Sequence, residues 1–221
     1  MKSPVLYTYW RSSSSFRVRF ALNVKRVAYE SRPVNLLKGE QRSETYLATN
    51  PNGFVPCLVI DDEPVVESVA IIELLDDLIA SPKLFPSDPI ARARVRALVE
   101  AINSGVQPLQ NLSVLDHVSS DTKARTEWAQ HFIKRGLNVF ESMMRVNADR
   151  GVSGPFAYGE TLTAADIFLV PQLYASKRFG VDLAPFPRLK AAGERAAATD
   201  AAIAAAPENQ SDAPPDEKRT K

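Results

Sequence analysis

The chain has 221 residues, of which 45% are hydrophobic and 24% are charged, the proportions of an ordinary globular protein with room for two small domains. The formal net charge is +1 and no lysine or arginine block stands out, so neither nucleic acid nor an anionic membrane is an expected partner. One cysteine, Cys57, excludes an internal disulfide, and with only two histidines we expect no zinc site. No apolar run reaches the ~18 residues of a membrane span and no secretory pattern opens the chain, so we expect a cytoplasmic protein.

The first part of the chain, residues 1–80, alternates between strand-like and helical patterns. These patterns predict strands at residues 5–9, 28–34, 55–60 and from 65, and helices from 16, at 44–48 and from Ser68, which is expected to cap its helix. Pro33 places the second strand at a sheet edge or a strand end, and residues 61–64 predict a hairpin turn. The order βαβ followed by αββα predicts a thioredoxin-like α/β domain with a mixed four-stranded sheet.

The remainder of the chain has an all-α pattern. Residues 81–89 contain three prolines and predict an inter-domain linker. Helical patterns then cover residues 90–115 and 121–146 and begin again at Thr163, which forms a capping box with Asp166. Within the all-helical domain of residues 90–206, the alanine-rich residues 191–206 predict a surface helix. The polar residues 207–221 predict a disordered tail.

A run of serines, Ser12 to Ser15, lies between the first predicted strand and the helix that follows it. Backbone N–H groups and the positive end of the helix dipole favour an anion at such a position. A hydroxyl that donates to sulfur lowers the pKa of a thiol and so favours the thiolate. No cysteine lies nearby, so the thiol would have to belong to a ligand. Helix capping is the commoner role of an isolated run of serines and stays open as an alternative.

Two further positions extend the pattern. Val55-Pro56 opens a strand, and a cis peptide bond there would expose the Val55 backbone to an extended peptide ligand; an ordinary trans proline is the alternative. Glu67-Ser68 ends a strand and begins a helix, which gives a second anion-binding helix end and a carboxylate for an ammonium group. A surface acid followed by a helix cap is the alternative there. Together with the serines, these positions describe a groove for a small peptide with a thiol, a carboxylate and an amine, which glutathione carries.

These motifs resemble those of the zeta class of the glutathione S-transferase superfamily, known as maleylacetoacetate or maleylpyruvate isomerases. The resemblance extends to about residue 187. The matching stretches are residues 9–19 (YWRSSSSFRVR), 50–56 (NPNGFVP), 67–72 (ESVAII), 107–112 (QPLQNL) and 170–172 (VPQ), with Arg178-Phe179 further on. The serine-rich motif together with QPLQNL is specific to this class, whereas the proline and Glu-Ser elements belong to the wider superfamily.

The resemblance implies glutathione as the cofactor, a thioredoxin-like domain followed by an all-helical domain, and a role for each matching position. The implied glutathione contacts in the first domain are Ser12 at the sulfur with Ser13 beside it, Gln41 at the glycyl carboxylate, Val55 with Pro56 at the cysteinyl backbone, and Glu67 and Ser68 at the γ-glutamyl end. In the helical domain, Gln107 would reach glutathione across a homodimer interface and Arg178 would bind a substrate carboxylate.

The implied reaction is the cis–trans isomerisation of an unsaturated keto-diacid by reversible addition of the glutathione thiolate. A transferase, dehalogenase or peroxidase would use the same thiolate, and a non-catalytic glutathione-binding module would keep the same fold, so these alternatives stay open. One candidate catalytic position departs from the family, because Ser14 stands where a cysteine is usual. A hydroxyl is less polarisable and harder to ionise than a thiol, so we expect activation by Ser12 to survive and handling of the second substrate to change. Phe54 likewise stands where some relatives carry a polar side chain.

Overall fold

A mixed four-stranded sheet organises the first part of the chain, in a computed structural model that describes residues 3–218. Its strands are β1 (Val5–Thr8), β2 (Glu30–Pro33), β3 (Cys57–Ile60) and β4 (Glu63–Val66). The spatial order is β2-β1-β3-β4, with β2 parallel to β1 and β3 antiparallel to both of its neighbours. Because β2 lies at the edge, Pro33 can lack an N–H group without breaking a ladder. The predicted thioredoxin-like sheet is confirmed.

The helices of this part are α1 (Ser13–Val24), α2 (Glu44–Thr49) and α3 (Ser68–Leu78). Helices α1 and α3 contact each other, and several of their apolar residues, among them Phe20, Ile71 and Ile72, are fully buried. Two short 3-10 turns, Leu36–Lys38 and Glu40–Arg42, precede α2. A short loop, residues 9–12, leads from β1 into α1, and Glu67 alone separates β4 from α3.

The helical part comprises α4 (Pro89–Asn103), α5 (Leu112–Val118), α6 (Thr122–Asp149), α7 (Ala164–Arg178) and α8 (Pro187–Ala197). Helix α7 is buried along most of its length and packs on α4 and α8. The single helix predicted over residues 90–115 is wrong, because the chain forms the separate 3-10 turn Gln107–Gln110 between α4 and α5. A Cβ atom at Gly105 would lie 2.5 Å from the Ala101 carbonyl oxygen, so this tight exit from α4 needs glycine.

The predicted capping box at the start of α7 is present. Asp166 is fully buried, and its carboxylate accepts hydrogen bonds from the Thr163 N–H group at 2.9 Å and from the Ala157 N–H group at 2.7 Å. The Thr163 hydroxyl donates to the same carboxylate at 3.2 Å. Asp166 therefore joins the loop before α7 to the first turn of the helix.

The chain divides into two compact units, and the end of the chain belongs to the first. The first unit comprises residues up to Lys83 and from Asp200 onward, and the second comprises Leu84–Thr199. The prediction of a separate linker over residues 81–89 is corrected, since Leu84 and Phe85 are buried and belong to the second unit. The boundary predicted at residue 206 likewise lies earlier, at Thr199.

A ninth helix, α9 (Asp200–Ala205), packs on α1 in the first unit. The single surface helix predicted over residues 191–206 is therefore wrong: α8 ends at Ala197, and Ala202 and Ala205 are buried. Small alanine side chains let the backbones of α9 and α1 approach closely. The alanine-rich composition therefore allows close packing as well as favouring a helix.

The prediction of a disordered tail over residues 207–221 is corrected for its described part, which ends at Lys218; residues 219–221 lie outside the described residues. Pro207–Asn209 forms a 3-10 turn, and Ala213 is only 4% exposed in a cluster with Tyr9 and Trp10. These contacts join positions far apart in the chain, so local composition did not reveal them.

Among residues 3–218, no helix has both the length and the apolar character needed to cross a bilayer. The same residues include no group of three or more histidine, cysteine, aspartate or glutamate side chains placed to bind a metal ion.

Candidate active site

Ser12 is the N-cap residue of α1. Its Oγ atom accepts a hydrogen bond from the Ser15 N–H group at 3.1 Å, and its own N–H group donates to the Tyr9 carbonyl at 3.0 Å. Ser12 is partly exposed, whereas Ser15 is fully buried. A hydroxyl has one hydrogen and two lone pairs, so accepting the capping bond leaves the Ser12 hydrogen to donate to another acceptor. Capping and donation to a ligand are therefore compatible at this residue.

The other candidate catalytic serines follow at once. Ser13 and Ser14 are the first two residues of α1, and both are partly exposed. The first N–H groups of a helix have no partner within the helix, and the helix dipole places partial positive charge there. The first turn of α1 contains no acidic residue that would neutralise this charge. The helix end therefore favours an anion beside Ser12.

The start of α3 differs in detail from the prediction. Glu67, not Ser68, is the N-cap residue, and its side chain makes no capping bond. Ser68 is buried as the first residue of α3, and its Oγ atom accepts a hydrogen bond from Nη1 of Arg17 at 3.2 Å. Arg17 lies on α1 and is itself buried. A buried guanidinium therefore joins the N-terminal ends of the two helices that carry the candidate serines, a role that the sequence did not reveal.

Glu67 has an uncommon backbone conformation, with φ 69° and ψ 122°. Positive φ costs a non-glycine residue of the order of 1–3 kcal/mol, and such residues cluster at functional sites. The Glu67 side chain is exposed. The strained backbone thus presents a carboxylate to solvent directly before the N-terminus of α3.

The loop before β3 is held by two side chains that the sequence analysis did not single out. Asn50 is buried, and its Nδ2 atom donates to the Phe54 carbonyl at 2.7 Å; the Tyr46 hydroxyl donates to the same oxygen. Burial raises the pKa of Tyr46 to about 12, so the hydroxyl stays protonated and remains a donor. The Val55–Pro56 peptide bond that follows is cis, and both residues are buried.

Gln41 lies beside this loop. Gly53 has φ +62°, and a Cβ atom there would lie 3.1 Å from the Gln41 carbonyl oxygen, so glycine lets the loop approach the turn that holds Gln41. The Gln41 Oε1 atom is buried and has no hydrogen-bond partner among the described residues. A buried polar atom without a partner is a group that a ligand or a water molecule can satisfy.

The single cysteine is unsuited to nucleophilic chemistry. Cys57 is fully buried in β3, and burial raises the pKa of its thiol to about 11. The thiol therefore stays protonated near neutral pH. A thiolate acting at this site has to come from a ligand.

The second unit contains the remaining predicted positions. Gln107 begins a 3-10 turn, which corrects its expected place on a long helix, and Arg178 is exposed as the last residue of α7. The two motifs around them are joined by a buried pair, since the amides of Gln110 and Gln172 exchange two hydrogen bonds of 3.1 Å. The Ser176 hydroxyl donates to the Gln172 carbonyl at 2.7 Å. Gln110 and Gln172 thus hold the turn of Gln107 against α7.

Comparison with known proteins first gives the class. Residues 3–77 match the family model described as "Glutathione S-transferase, N-terminal domain". The structure is similar to a holo structure of maleyl pyruvate isomerase, a bacterial glutathione S-transferase of the zeta class, with a TM-score of 0.91 and 36% identity over 95% of this chain and 100% of that one. The fold is that of the glutathione S-transferases.

Sequence relatives then define the family. The chain is 46% identical to maleylacetoacetate isomerase of Rhizobium meliloti, over 89% of this chain and 92% of the relative. It is 43% identical to probable maleylacetoacetate isomerase 2 of Drosophila melanogaster, over 96% and 92%. Maleylacetoacetate isomerase of Anaeromyxobacter dehalogenans, solved with bound GSH, has a TM-score of 0.86 and 45% identity over 96% of this chain and 98% of that one. The chain belongs to the maleylacetoacetate isomerase family, the zeta class of glutathione S-transferases.

Proposed function

We propose that this chain catalyses the glutathione-dependent cis–trans isomerisation of an unsaturated keto-diacid such as maleylacetoacetate or maleylpyruvate. The names of its relatives and the GSH bound in one of them support this proposal. The observation that carries it is the Ser12 hydroxyl, partly exposed at the N-terminal end of α1 with its hydrogen left to donate. A cytoplasmic location is part of the proposal, since the thiol of Cys57 is buried and free, and free thiols are typical of reducing compartments.

The first unit fits glutathione. Each chemical group of the tripeptide has a matching group on the protein: the α1 end with Ser12 and Ser13 for the thiolate, the Val55 backbone for the cysteinyl unit, Glu67 for the ammonium group, Ser68 at the α3 end for the γ-glutamyl carboxylate and Gln41 for the glycyl carboxylate. The Gln41 side chain would meet the glycyl carboxylate through its Nε2 amide, which donates, whereas its partnerless Oε1 atom needs a separate donor. The strained Glu67 backbone is the feature that a ligand accounts for best.

Bound glutathione supplies a thiolate that adds reversibly to the conjugated double bond, so it is not consumed. Ser12 donates a hydrogen bond that favours the charged form of the sulfur near neutral pH. Arg11 directly precedes Ser12, and its guanidinium lies over the Trp10 ring, 5.5 Å from the centroid. This stacking places a positive charge next to the serines, which suits a substrate with two carboxylates. Arg178 is proposed to bind a substrate carboxylate, and Ser14 is proposed to lie beside the reacting sulfur.

Turnover of four compounds tests the proposal: maleylacetoacetate, maleylpyruvate, a halogenated acid and an organic peroxide, each with and without glutathione. We expect isomerisation of at least one diacid that needs glutathione and leaves its concentration unchanged. If glutathione-dependent turnover is seen with the halogenated acid or the peroxide and with neither diacid, a transferase, dehalogenase or peroxidase is favoured. Glutathione binding without turnover of any compound would favour a binding module.

Arg178→Lys should raise KM for a diacid substrate about tenfold or more, because lysine keeps the charge and loses the bidentate fork of the guanidinium. Binding of glutathione, measured by calorimetry, should stay unchanged, since its proposed contacts at Ser12, Gln41 and Glu67 are untouched. Arg135→Lys is the matched control, as Arg135 is exposed on α6. If Arg178→Lys changes KM for a diacid and for a neutral electrophile by the same factor, or changes neither, the carboxylate role is contradicted.

A homodimer is part of the proposal, with Gln107 reaching glutathione bound by the partner subunit. Two-fold dimers commonly repeat one self-complementary patch, and the second unit exposes large apolar side chains, including Ile90 and Leu112. Sedimentation at micromolar concentration should show a dimer. Gln107→Ala should weaken glutathione binding several-fold and leave the sedimentation coefficient unchanged. A monomer that binds glutathione equally well with and without Gln107 would exclude this contact.

A further inference from the structure

The C-terminal segment, defined here as residues 200–218, reaches the loop that leads to Ser12. Asp212 Oδ2 accepts a hydrogen bond from the Trp10 N–H group at 2.9 Å, although the two residues are 202 positions apart in the chain. Ala213, the next residue, is buried against the cluster that contains Tyr9 and Trp10. The segment therefore contacts the loop both through a charged hydrogen bond and through apolar packing.

Arg19 fixes the same loop from α1. It is fully buried, and its Nη2 atom donates to the Trp10 carbonyl at 3.0 Å while Nη1 donates to the Thr8 hydroxyl at 2.9 Å. Its Nε atom donates to the Ala205 carbonyl at 3.0 Å, which belongs to the C-terminal segment. Both backbone polar groups of Trp10 are thus paired with charged side chains: the N–H group with Asp212 and the carbonyl with Arg19.

The position of Ser12 depends on this backbone. The Ser12 N–H group donates to the Tyr9 carbonyl at 3.0 Å, and Nη1 of Arg19 donates to the same oxygen at 3.3 Å. The Tyr9 carbonyl thus orients Ser12. The peptide groups of Trp10, the residue that follows Tyr9, are held by Asp212 and Arg19. A loop has few contacts of its own, so its geometry is set by such external bonds.

We propose that Asp212 is a positioning residue for the thiol-activating site, and that the C-terminal segment completes this site by holding the loop from Tyr9 to Ser12. The inference rests on the proposed function in one respect, namely that Ser12 donates to the glutathione sulfur. Asp212 acts through the Trp10 peptide and contacts no reacting atom. Its part is to keep the Ser12 hydroxyl in hydrogen-bond reach of the sulfur, as a misplaced donor loses most of its effect.

Charge and position have opposite effects here, which makes the proposal testable. A carboxylate near the site repels a thiolate, so removing only its charge would lower the thiol pKa of bound glutathione. Removing a bond that positions Ser12 would raise the same pKa. The two explanations therefore predict shifts of opposite sign in one measurement.

The experiment follows the ultraviolet absorbance of the thiolate of bound glutathione against pH in the full-length chain. Asp212→Ala should raise the thiol pKa by about one unit, which reduces the thiolate fraction below that pKa about tenfold. Asp212→Asn keeps an oxygen that can accept from the Trp10 N–H group, so it should show less than half of this shift. The matched control is Asp216→Ala, which removes an exposed carboxylate from the same segment and should leave the thiol pKa within about 0.2 units of the wild type. A lowered or unchanged thiol pKa in Asp212→Ala, or equal shifts in Asp212→Ala and Asp212→Asn, would overturn the proposal.

Hydrogen exchange gives a second readout that needs no ligand. The Trp10 amide should exchange at least tenfold faster in Asp212→Ala, and amides in α3 should keep their protection. Equal protection of the Trp10 amide in wild type and variant would also overturn the proposal. If the wild type binds glutathione but turns over no diacid, only the proposed isomerase function fails, because the thiol pKa and the amide exchange still decide the role of Asp212.

Discussion

Ser12→Ala should lower turnover by about 10²-fold or more, the effect of losing one well-placed hydrogen-bond donor to a reacting anion. The thiol of bound glutathione should also ionise at higher pH, because the charged form loses its donor. Steady-state kinetics and the ultraviolet absorbance of the bound thiolate measure the two effects. Ser14→Ala should cost less than Ser12→Ala, since Ser14 is a residue of the first helical turn and not the N-cap.

A control has to separate this chemistry from the lost helix cap, because Ser12 also accepts from the Ser15 N–H group. Loss of a cap costs about 1 kcal/mol of stability. Asp121→Ala removes the cap of α6, whose carboxylate accepts from the N–H groups of Lys123 and Ala124. We expect a similar loss of stability in this variant with turnover unchanged. Full activity of Ser12→Ala would contradict the mechanism.

Asp166→Ala should lower the free energy of unfolding by about 2–6 kcal/mol. The substitution leaves two buried N–H groups, those of Ala157 and Thr163, without their acceptor, and each costs about 1–3 kcal/mol. Urea unfolding followed by circular dichroism measures the loss. Asp182→Ala is the matched control, because Asp182 is exposed and accepts from the Ala184 N–H group. It should cost less than about 1 kcal/mol.

The charge of Asp166 also predicts a pH dependence. Burial raises the pKa of this carboxyl from 3.8 to about 6, outweighing the hydrogen bonds that lower it. Between these two pKa values the folded protein holds a proton that the unfolded chain has released. The stabilising effect of Asp166 is therefore greatest below the unfolded pKa and is lost as the pH rises through about 6.

Asp166→Asn removes this titration. Its deficit in unfolding free energy, relative to the wild type, should consequently be larger at about pH 5 than at about pH 7. Unfolding curves at the two pH values, recorded in parallel for both proteins, test the sign. A deficit that grows with pH would show that the hydrogen bonds to the carboxylate outweigh its burial.

Local patterns predicted the elements that frame the site. Alternating and helical spacing gave the order of strands and helices, and Pro33 gave the edge strand, because each depends on neighbouring residues alone. The capping box of Thr163 and Asp166 was predicted for the same reason. Ser12 and Glu67 became candidates because they stand at strand-to-helix junctions, whereas Gln41, Gln107 and Arg178 became candidates only through the family resemblance.

Helix ends were predicted less well where one residue controls the backbone. The exit of α4 depends on Gly105, whose missing side chain allows a close approach to Ala101. The N-cap of α3 is Glu67 in a strained conformation, whereas capping preference favoured the serine beside it. Ser68 instead accepts from Arg17, and a long-range hydrogen bond of this kind overrides a local preference.

By itself, the sequence determined the thioredoxin-like order of elements, the helical remainder and the places where an anion could bind, since these follow from periodicity and capping chemistry along the chain. Only the tertiary structure decided which distant polar residues form the hydrogen bonds that hold these elements together. Arg17 with Ser68, Gln110 with Gln172 and Asp212 with Trp10 are pairs of buried or partly buried polar groups that are distant in sequence. Such pairs produce no periodic pattern in the sequence, because each buried polar group is satisfied by a distant partner and not by residues near it in the chain. Residues 207–218 show this most clearly, as their composition is that of a disordered tail and their order comes from contacts with distant residues such as Tyr9 and Trp10.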